Sequence, residues 1–123
     1  MYISREIEPL LVKLLAPNQP PQGVILSGIV GAGKTTLINH LLDQLKSSYE
    51  IFSFTGDDTV FRAAVSQDSK YIHDYITSRT TKRSLVFVDE VQKSEAVFDA
   101  LKFAFDQSKI NFIVSGSNPA YLD

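Results

Sequence analysis

Apolar residues recur along this chain first at helical spacing and then in short runs. Residues 3–16 carry leucine and isoleucine every three or four positions, at Ile3, Ile7, Leu10, Leu11, Leu14 and Leu15. This period predicts an N-terminal amphipathic helix over residues 1–16, with Pro9 at a kink or late in the first turn. Prolines, glycine and amides in residues 17–23 break the pattern, so a linker is predicted there.

Four short apolar runs follow, at residues 24–27, 49–55, 84–88 and 110–114. Between them, helical spacing predicts helices at residues 33–47, after Asp58 and Ser69 as N-caps, and at 95–107 after Ser94. His73 is expected on the solvent side of its helix. The third run is apolar without alternation, as in a parallel strand that is covered on both faces. The alternation of strands and helices therefore predicts one α/β domain over residues 1–123, with right-handed crossovers.

The composition of the chain excludes several classes of protein and of metal site. The chain has 123 residues, a net charge of −2 and no cysteine, so a disulfide scaffold and a cysteine-based metal site are excluded. No apolar run approaches the roughly 20 residues of a membrane span, and the N-terminus has no signal-peptide pattern. We expect a cytoplasmic protein with no membrane partner. A nucleic-acid partner has no support from the net charge, although a local basic patch remains open.

The segment Gly28–Thr35 reads G-x-x-x-x-G-K-T between an apolar run and a predicted helix. A glycine-rich loop in that context cradles phosphates with its backbone N–H groups and with the helix N-terminus. Lys34 is expected to meet the β- and γ-phosphates, and the Thr35 hydroxyl to bind Mg²⁺. The predicted nucleotide-binding residues of this segment are Gly28, Ile29, Val30, Gly31, Ala32, Gly33, Lys34, Thr35 and Thr36.

The predicted strands end in polar residues, which parallel strands bring to one edge of a sheet. Asp89 ends the third apolar run and is a candidate ligand of Mg²⁺. Glu90, the next residue, is a candidate to orient and polarise an attacking water. After the fourth run, Ser117 and Asn118 could reach the γ-phosphate or that water. The alternatives are helix caps or surface groups for the two acids, and a turn completed by Pro119 for the serine and asparagine.

Three segments together resemble the AAA+ ATPases, most closely prokaryotic predicted ATPases of the AAA_14 type. They are Gly28–Thr35, Val86–Lys93 with its D-E-V-Q sequence, and Ile113–Asn118 with S-G-S. The likeness covers roughly residues 22–122. It implies a three-layer P-loop NTPase core with a parallel sheet in the order 1-4-3-2. It also implies that ATP and Mg²⁺ are bound, and that Lys34, Glu90 and Asn118 are catalytic.

The chain departs from that family in two ways. The family commonly has P-R-Q inside the loop, where this chain has Ile29–Ala32. An AAA+ domain also continues with a fifth strand, a nearby arginine finger and a helical lid, for which residues 1–123 leave no room. We therefore expect an incomplete AAA+ domain from a larger protein, and the alternative is a minimal variant that hydrolyses ATP poorly. A second copy or downstream domains would supply the arginine.

Three functional interpretations remain open. The first is ATP hydrolysis, favoured over GTP because the chain has neither an N-K-x-D nor a D-x-x-G segment. The second is a phosphotransferase for a small molecule, for which Asp57 and Asp58 are the candidate acceptor-binding acids and Arg62 is the candidate cation of a lid. A turn and a helix cap also account for the two aspartates. The third is a nucleotide-gated module that binds DNA or protein. The basic turn at residues 79–83 could meet phosphates of a nucleic acid or of a neighbouring subunit's nucleotide, but a solvated loop before the third run is the favoured interpretation.

Overall fold

A computed structural model describes residues 4–27, 32–108 and 110–116. Side chains are described within these ranges except for residues 4–8, 27 and 32–35. The helices are α1 (Ser4–Leu14), α2 (Ala32–Leu45), α3 (Thr59–Gln67), α4 (Tyr71–Thr77) and α5 (Ala96–Ser108), with a 3-10 helix at Val91–Lys93. The strands are β1 (Gly23–Ser27), β2 (Glu50–Thr55), β3 (Ser84–Asp89) and β4 (Asn111–Gly116).

The described strands form one parallel sheet in the order β1-β4-β3-β2. This confirms the predicted fold class and strand order. In β3, Leu85, Val86 and Val88 are all fully buried, because helices cover both faces of the sheet. Successive side chains of a strand point to opposite faces, so β3 contributes to two separate cores.

The helices form a layer on each side of the sheet. On one side α1 and α2 pack over Val24, Leu26, Leu85 and Ile113. On the other side α3, α4 and α5 pack over Val86, Val88 and Val114. The side chains of α2 that fill the first core are Leu37, Ile38, Leu41 and Leu45, and Leu42 is partly buried against them. The domain is therefore a three-layer α/β structure.

The apolar stripe of α1 is narrower in the structure than its sequence suggests. Leu11 and Leu15 are buried, but Leu10 and Leu14 are 66% and 40% exposed. The end of α1 is held by the Tyr49 hydroxyl, which donates to the Leu15 carbonyl at 2.5 Å. Burial raises the pKa of the Tyr49 phenol, so this phenol stays protonated and can donate at neutral pH.

Of the two N-caps predicted for α3 and α4, the structure confirms one. The Asp58 carboxylate accepts from the amides of Val60 and Phe61, so its predicted capping role is confirmed. The prediction for Ser69 is wrong, because α4 begins after Lys70 and has no side-chain cap. The amide of Lys70 instead donates to the Asp68 carboxylate.

Two further predictions on the α4–α5 side need correction. His73 does not face solvent alone, since its Nδ1 lies 2.5 Å from the Ser108 hydroxyl and its ring meets the edge of Phe103. Ser94 follows an unpredicted 3-10 helix, Val91–Lys93, and α5 begins at Ala96. In the part of the chain that the structure describes, no helix is both long and apolar enough to cross a membrane.

Candidate nucleotide site at the carboxyl edge of the sheet

The carboxyl edge of the sheet, where all the parallel strands end, gathers the candidate residues. Ser27, the last residue of β1, is in register with Gly116 of β4, and Thr55 of β2 with Asp89 of β3. Four residues join Ser27 to Ala32, where α2 begins. The start of α2 therefore lies near the same edge, with the positive end of its dipole toward the connecting loop.

Several predicted site residues fall outside the described parts of the chain. Gly28, Ile29, Val30 and Gly31 lie between β1 and α2, and Ser117 and Asn118 come after β4. Ala32, Gly33, Lys34, Thr35 and Thr36 form the start of α2. The structure thus brings Asp89 and Glu90 together with the ends of β1 and β4 and places the segment 32–36 at the start of the adjoining helix. The side-chain contacts of Lys34 and Thr35 remain predictions.

The Asp89 carboxylate is fixed through one of its oxygens. Oδ1 accepts from the Ser115 hydroxyl at 2.8 Å and from the Glu90 amide at 2.9 Å. Asp89 has the strand parity of Leu85 and Phe87, which pack in the core beneath α1 and α2. The alternation of side chains in β3 therefore places Asp89 on the α2 side of the sheet.

This carboxylate fits a magnesium ion that is shared with phosphates. Both hydrogen bonds that it receives from the described residues go to Oδ1, so no donor among those residues competes with a metal for Oδ2. Those residues contain no cluster of three or more histidine or acidic side chains that could hold a metal alone. Mg²⁺ is commonly held by one or two protein ligands together with substrate phosphates, and Asp89 suits that arrangement.

Ser115 was not singled out from the sequence, although it contacts Asp89 directly. Its side chain is fully buried near the end of β4. A serine that directly follows the apolar residues 112–114 of β4 and precedes a glycine was the signal that could have indicated it. The Ser115 hydroxyl therefore links β4, the strand that precedes Ser117 and Asn118, to the Asp89 carboxylate at the end of β3.

Glu90 has an unusual backbone. Its φ of 50° and ψ of 44° lie in the left-handed region, which non-glycine residues seldom adopt and which is enriched at functional sites. Because of this turn, Glu90 does not continue the alternation of side chains between the two faces of β3. The direction of its side chain is therefore not set by that of Asp89. Its Oε1 accepts a hydrogen bond of 2.6 Å from the Gln92 side-chain amide.

The family comparison agrees with this geometry. The model of the AAA_14 family, described as an AAA domain, matches residues 21–123. The chain belongs to this AAA-domain family. It is therefore an AAA-type, P-loop ATPase-like domain, as its sheet order also indicates. A search of curated proteins found no match to the chain.

In this AAA domain the loop after β2 is braced against Asp89 and Glu90. The Gly56 amide donates to the Asp89 carbonyl at 2.8 Å. A Cβ on Gly56 would overlap the backbone carbonyl of Glu90, so only glycine fits at this close approach. The Gly56 carbonyl in turn accepts from the Arg62 guanidinium at 2.6 Å.

We expect Gly56→Ala to destabilise the AAA domain by about 1–3 kcal/mol, the usual cost of adding a methyl group to a packed site. Urea unfolding would measure this difference. Gly23→Ala is the comparison and should cost less, because the three atoms nearest to its added Cβ belong to the Phe112 ring and not to the backbone. Equal stability of Gly56→Ala and the wild type would contradict the close approach.

The groups considered for a phosphotransferase have structural partners in the AAA domain. Asp58 caps α3, and Arg62 holds the Gly56 carbonyl. Asp57 lies 3.8 Å from the ammonium of Lys93. Since these contacts account for the three side chains, the acceptor-binding interpretation gains no support.

The basic turn lies at the opposite edge of the sheet, just before β3 begins. The Arg83 guanidinium donates to the carbonyls of Pro17 and Gln19. The Arg79 guanidinium lies 3.5 Å from the centre of the Tyr75 ring. These two cations therefore brace the linker and α4, and the turn is remote from the carboxyl edge of its own AAA domain.

Proposed function

We propose that this AAA domain binds ATP with Mg²⁺ and hydrolyses the β–γ phosphoanhydride bond. The observation that carries the proposal is the adjacent pair Asp89 and Glu90 at the carboxyl edge. The Asp89 carboxylate lies on the α2 side of the sheet and accepts a hydrogen bond from Ser115. The Glu90 side chain is oriented separately, by the left-handed backbone of that residue. The predicted phosphate-binding loop between β1 and α2 would hold the triphosphate next to these two acids.

Binding of the triphosphate would rest on the loop 28–35. Backbone N–H groups and the helix N-terminus would meet the phosphate oxygens, and Lys34 would add a charge at the β- and γ-phosphates. Ser117 and Asn118 would approach the γ-phosphate from the end of β4. Thr35 and Asp89 would hold Mg²⁺, which when bound neutralises charge on the β- and γ-phosphate oxygens.

In the hydrolytic step, water forms a bond to the γ-phosphorus as the bond to the β–γ bridging oxygen breaks. Glu90 would orient the water and accept its proton, while ADP leaves with the electron pair of the broken bond. Lys34 and the loop amides would stabilise the charge on the transferred phosphoryl group. Asn118 would help to place the water. ATP is favoured over GTP because no guanine-reading segment is present.

A positively charged side chain from outside residues 1–123 could also contribute to this nucleotide site. Of the basic side chains near this edge that the structure describes, Arg62 is engaged with Gly56 and Lys93 lies beside Asp57. We propose that an arginine from a second copy or from further domains completes the site. The isolated chain should therefore bind ATP–Mg²⁺ better than it turns it over.

Phosphate release from ATP by the purified chain, with Mg²⁺ or with excess EDTA, tests the function. We expect release that requires Mg²⁺ and needs no added acceptor. Release only with a small-molecule acceptor would support the phosphotransferase instead. Tight binding of ATP without any release would support a nucleotide-gated binding module.

Ser115→Ala should weaken the Mg²⁺-dependent part of ATP affinity about threefold to tenfold. The Asp89 carboxylate would lose one of two hydrogen bonds, and bonds to charged groups contribute about 1.5–3 kcal/mol, part of which the amide of Glu90 retains. Calorimetric titration with and without Mg²⁺ would measure the change. Ser84→Ala is the matched control, because this buried hydroxyl on β3 donates to Lys82 at the far edge. An equal loss in both variants would contradict the role of Ser115.

A further inference from the structure

The backbone of Glu90 is enclosed by contacts that hold its left-handed turn. Its amide donates to Asp89 Oδ1, and its carbonyl accepts from the Lys93 amide at 3.1 Å. Gly56 packs against the same carbonyl. The start of the Glu90 side chain is therefore placed accurately, whereas its carboxylate still has three bonds about which it can rotate.

One side chain restrains that carboxylate. The amide nitrogen of Gln92 lies 2.6 Å from Glu90 Oε1, and a hydrogen bond to an ionised carboxylate is stronger than one between neutral groups. Gln92 stands in the 3-10 helix, next to the fully buried Val91. Because Val91 anchors this turn in the core, the donor itself is held in place.

We propose that Gln92 is a positioning residue for Glu90. It occupies one carboxylate oxygen, Oε1, and so presents the other oxygen, Oε2, to the attacking water. The inference rests on the hydrolytic role proposed for Glu90. A general base contributes only when it lies within hydrogen-bond reach in the right orientation, so a donor that fixes the carboxylate should act on turnover and not on nucleotide affinity.

Gln92→Met tests this, because methionine has nearly the same length and no donor. We expect kcat for phosphate release to fall about threefold to tenfold, with the Kd for ATP–Mg²⁺ unchanged. Gln67→Met is the matched control, since Gln67 is exposed at the end of α3. Gln92→Glu keeps the shape of the side chain but sets a second carboxylate beside Glu90, and should lower kcat further.

A double-mutant cycle separates positioning from a general structural role. In a Glu90→Gln background, the added Gln92→Met substitution should have no further effect on kcat. An equal effect in both backgrounds, or a weakened ATP–Mg²⁺ affinity in Gln92→Met, would overturn the inference. If Glu90→Gln itself leaves turnover unchanged, or if the wild type shows no Mg²⁺-dependent release, the proposed function fails as well.

A readout independent of turnover is the Gln92 side-chain amide in ¹H–¹⁵N spectra of the nucleotide-free protein. Its signal is assigned by its loss in Gln92→Met. We expect one amide proton at unusually low field, as for a short bond to a carboxylate, and a return toward the ordinary position in Glu90→Gln. An ordinary position in the wild type that is unchanged in Glu90→Gln would show that the two side chains do not interact.

Discussion

Glu90→Gln should leave ATP–Mg²⁺ binding intact and slow phosphate release by about 10²- to 10⁴-fold, the usual contribution of a positioned general base. Glutamine keeps the length and the polar character of the side chain. It removes the negative oxygen that would accept the proton of water. Binding by calorimetry and single-turnover phosphate release, on the same preparation, measure the two effects separately.

Glu95→Gln is the control for this substitution, because it makes the same chemical change on an exposed residue five positions later. It should match the wild type in both assays. Equal phosphate release from Glu90→Gln and the wild type would contradict the role assigned to Glu90, whatever the affinities.

Lys34→Ala should weaken ATP–Mg²⁺ binding by about tenfold to a hundredfold. The expected loss is that of a charge-assisted bond to phosphate, about 1.5–3 kcal/mol, and 1.4 kcal/mol corresponds to a factor of ten. AMP, which has neither a β- nor a γ-phosphate, should be affected little. Competition of ATP and AMP against a fluorescent nucleotide would measure both.

The control for Lys34→Ala lies just beyond the other end of α2. Lys46 is exposed and pairs with Asp43 at 2.7 Å. Lys46→Ala removes one positive charge from the chain without approaching the carboxyl edge, and should leave both affinities unchanged. A similar loss in the two variants would mean that net charge, and not the phosphate loop, governs binding.

The strands were predictable because their apolar runs are short and bounded by polar or glycine residues. The unbroken run at Ser84–Val88 indicated a strand covered on both faces, and the structure has helices on both sides of β3. The order of the strands came from the family resemblance, since periodicity does not say which strands are neighbours. Given that order, the convergence of Asp89 with the ends of β1 and β4 follows from parallel pairing.

The hydrophobic pattern of the sequence did not predict several features of the structure. Helical spacing identified the apolar stripe of α1, but it did not show that Leu11 and Leu15 are buried while Leu10 and Leu14 are exposed. Local sequence favoured Ser69 and Ser94 as caps, yet α4 begins after Lys70, whose amide donates to the Asp68 carboxylate, and α5 begins at Ala96. The contact of Ser115 with Asp89 joins residues that are 26 positions apart, so it depends on the register of β3 and β4.

The arrangement around Glu90 was the least predictable part of the candidate site. Glutamate has no preference for the left-handed region, and nothing in D-E-V-Q announces it. The conformation depends on Gly56, which approaches from the loop after β2, and on the turn that places Gln92 against the carboxylate. The roles of residues 28–31, Ser117 and Asn118 stay predictions.

The measurement that tests the central claim most directly is a calorimetric titration of the wild-type chain with ATP, in Mg²⁺ and again in excess EDTA. The account predicts one saturable site per chain, with affinity that falls when Mg²⁺ is removed and with much weaker binding of AMP. Absence of saturable binding, or equal affinity for ATP and AMP, would contradict a triphosphate–magnesium site at the carboxyl edge.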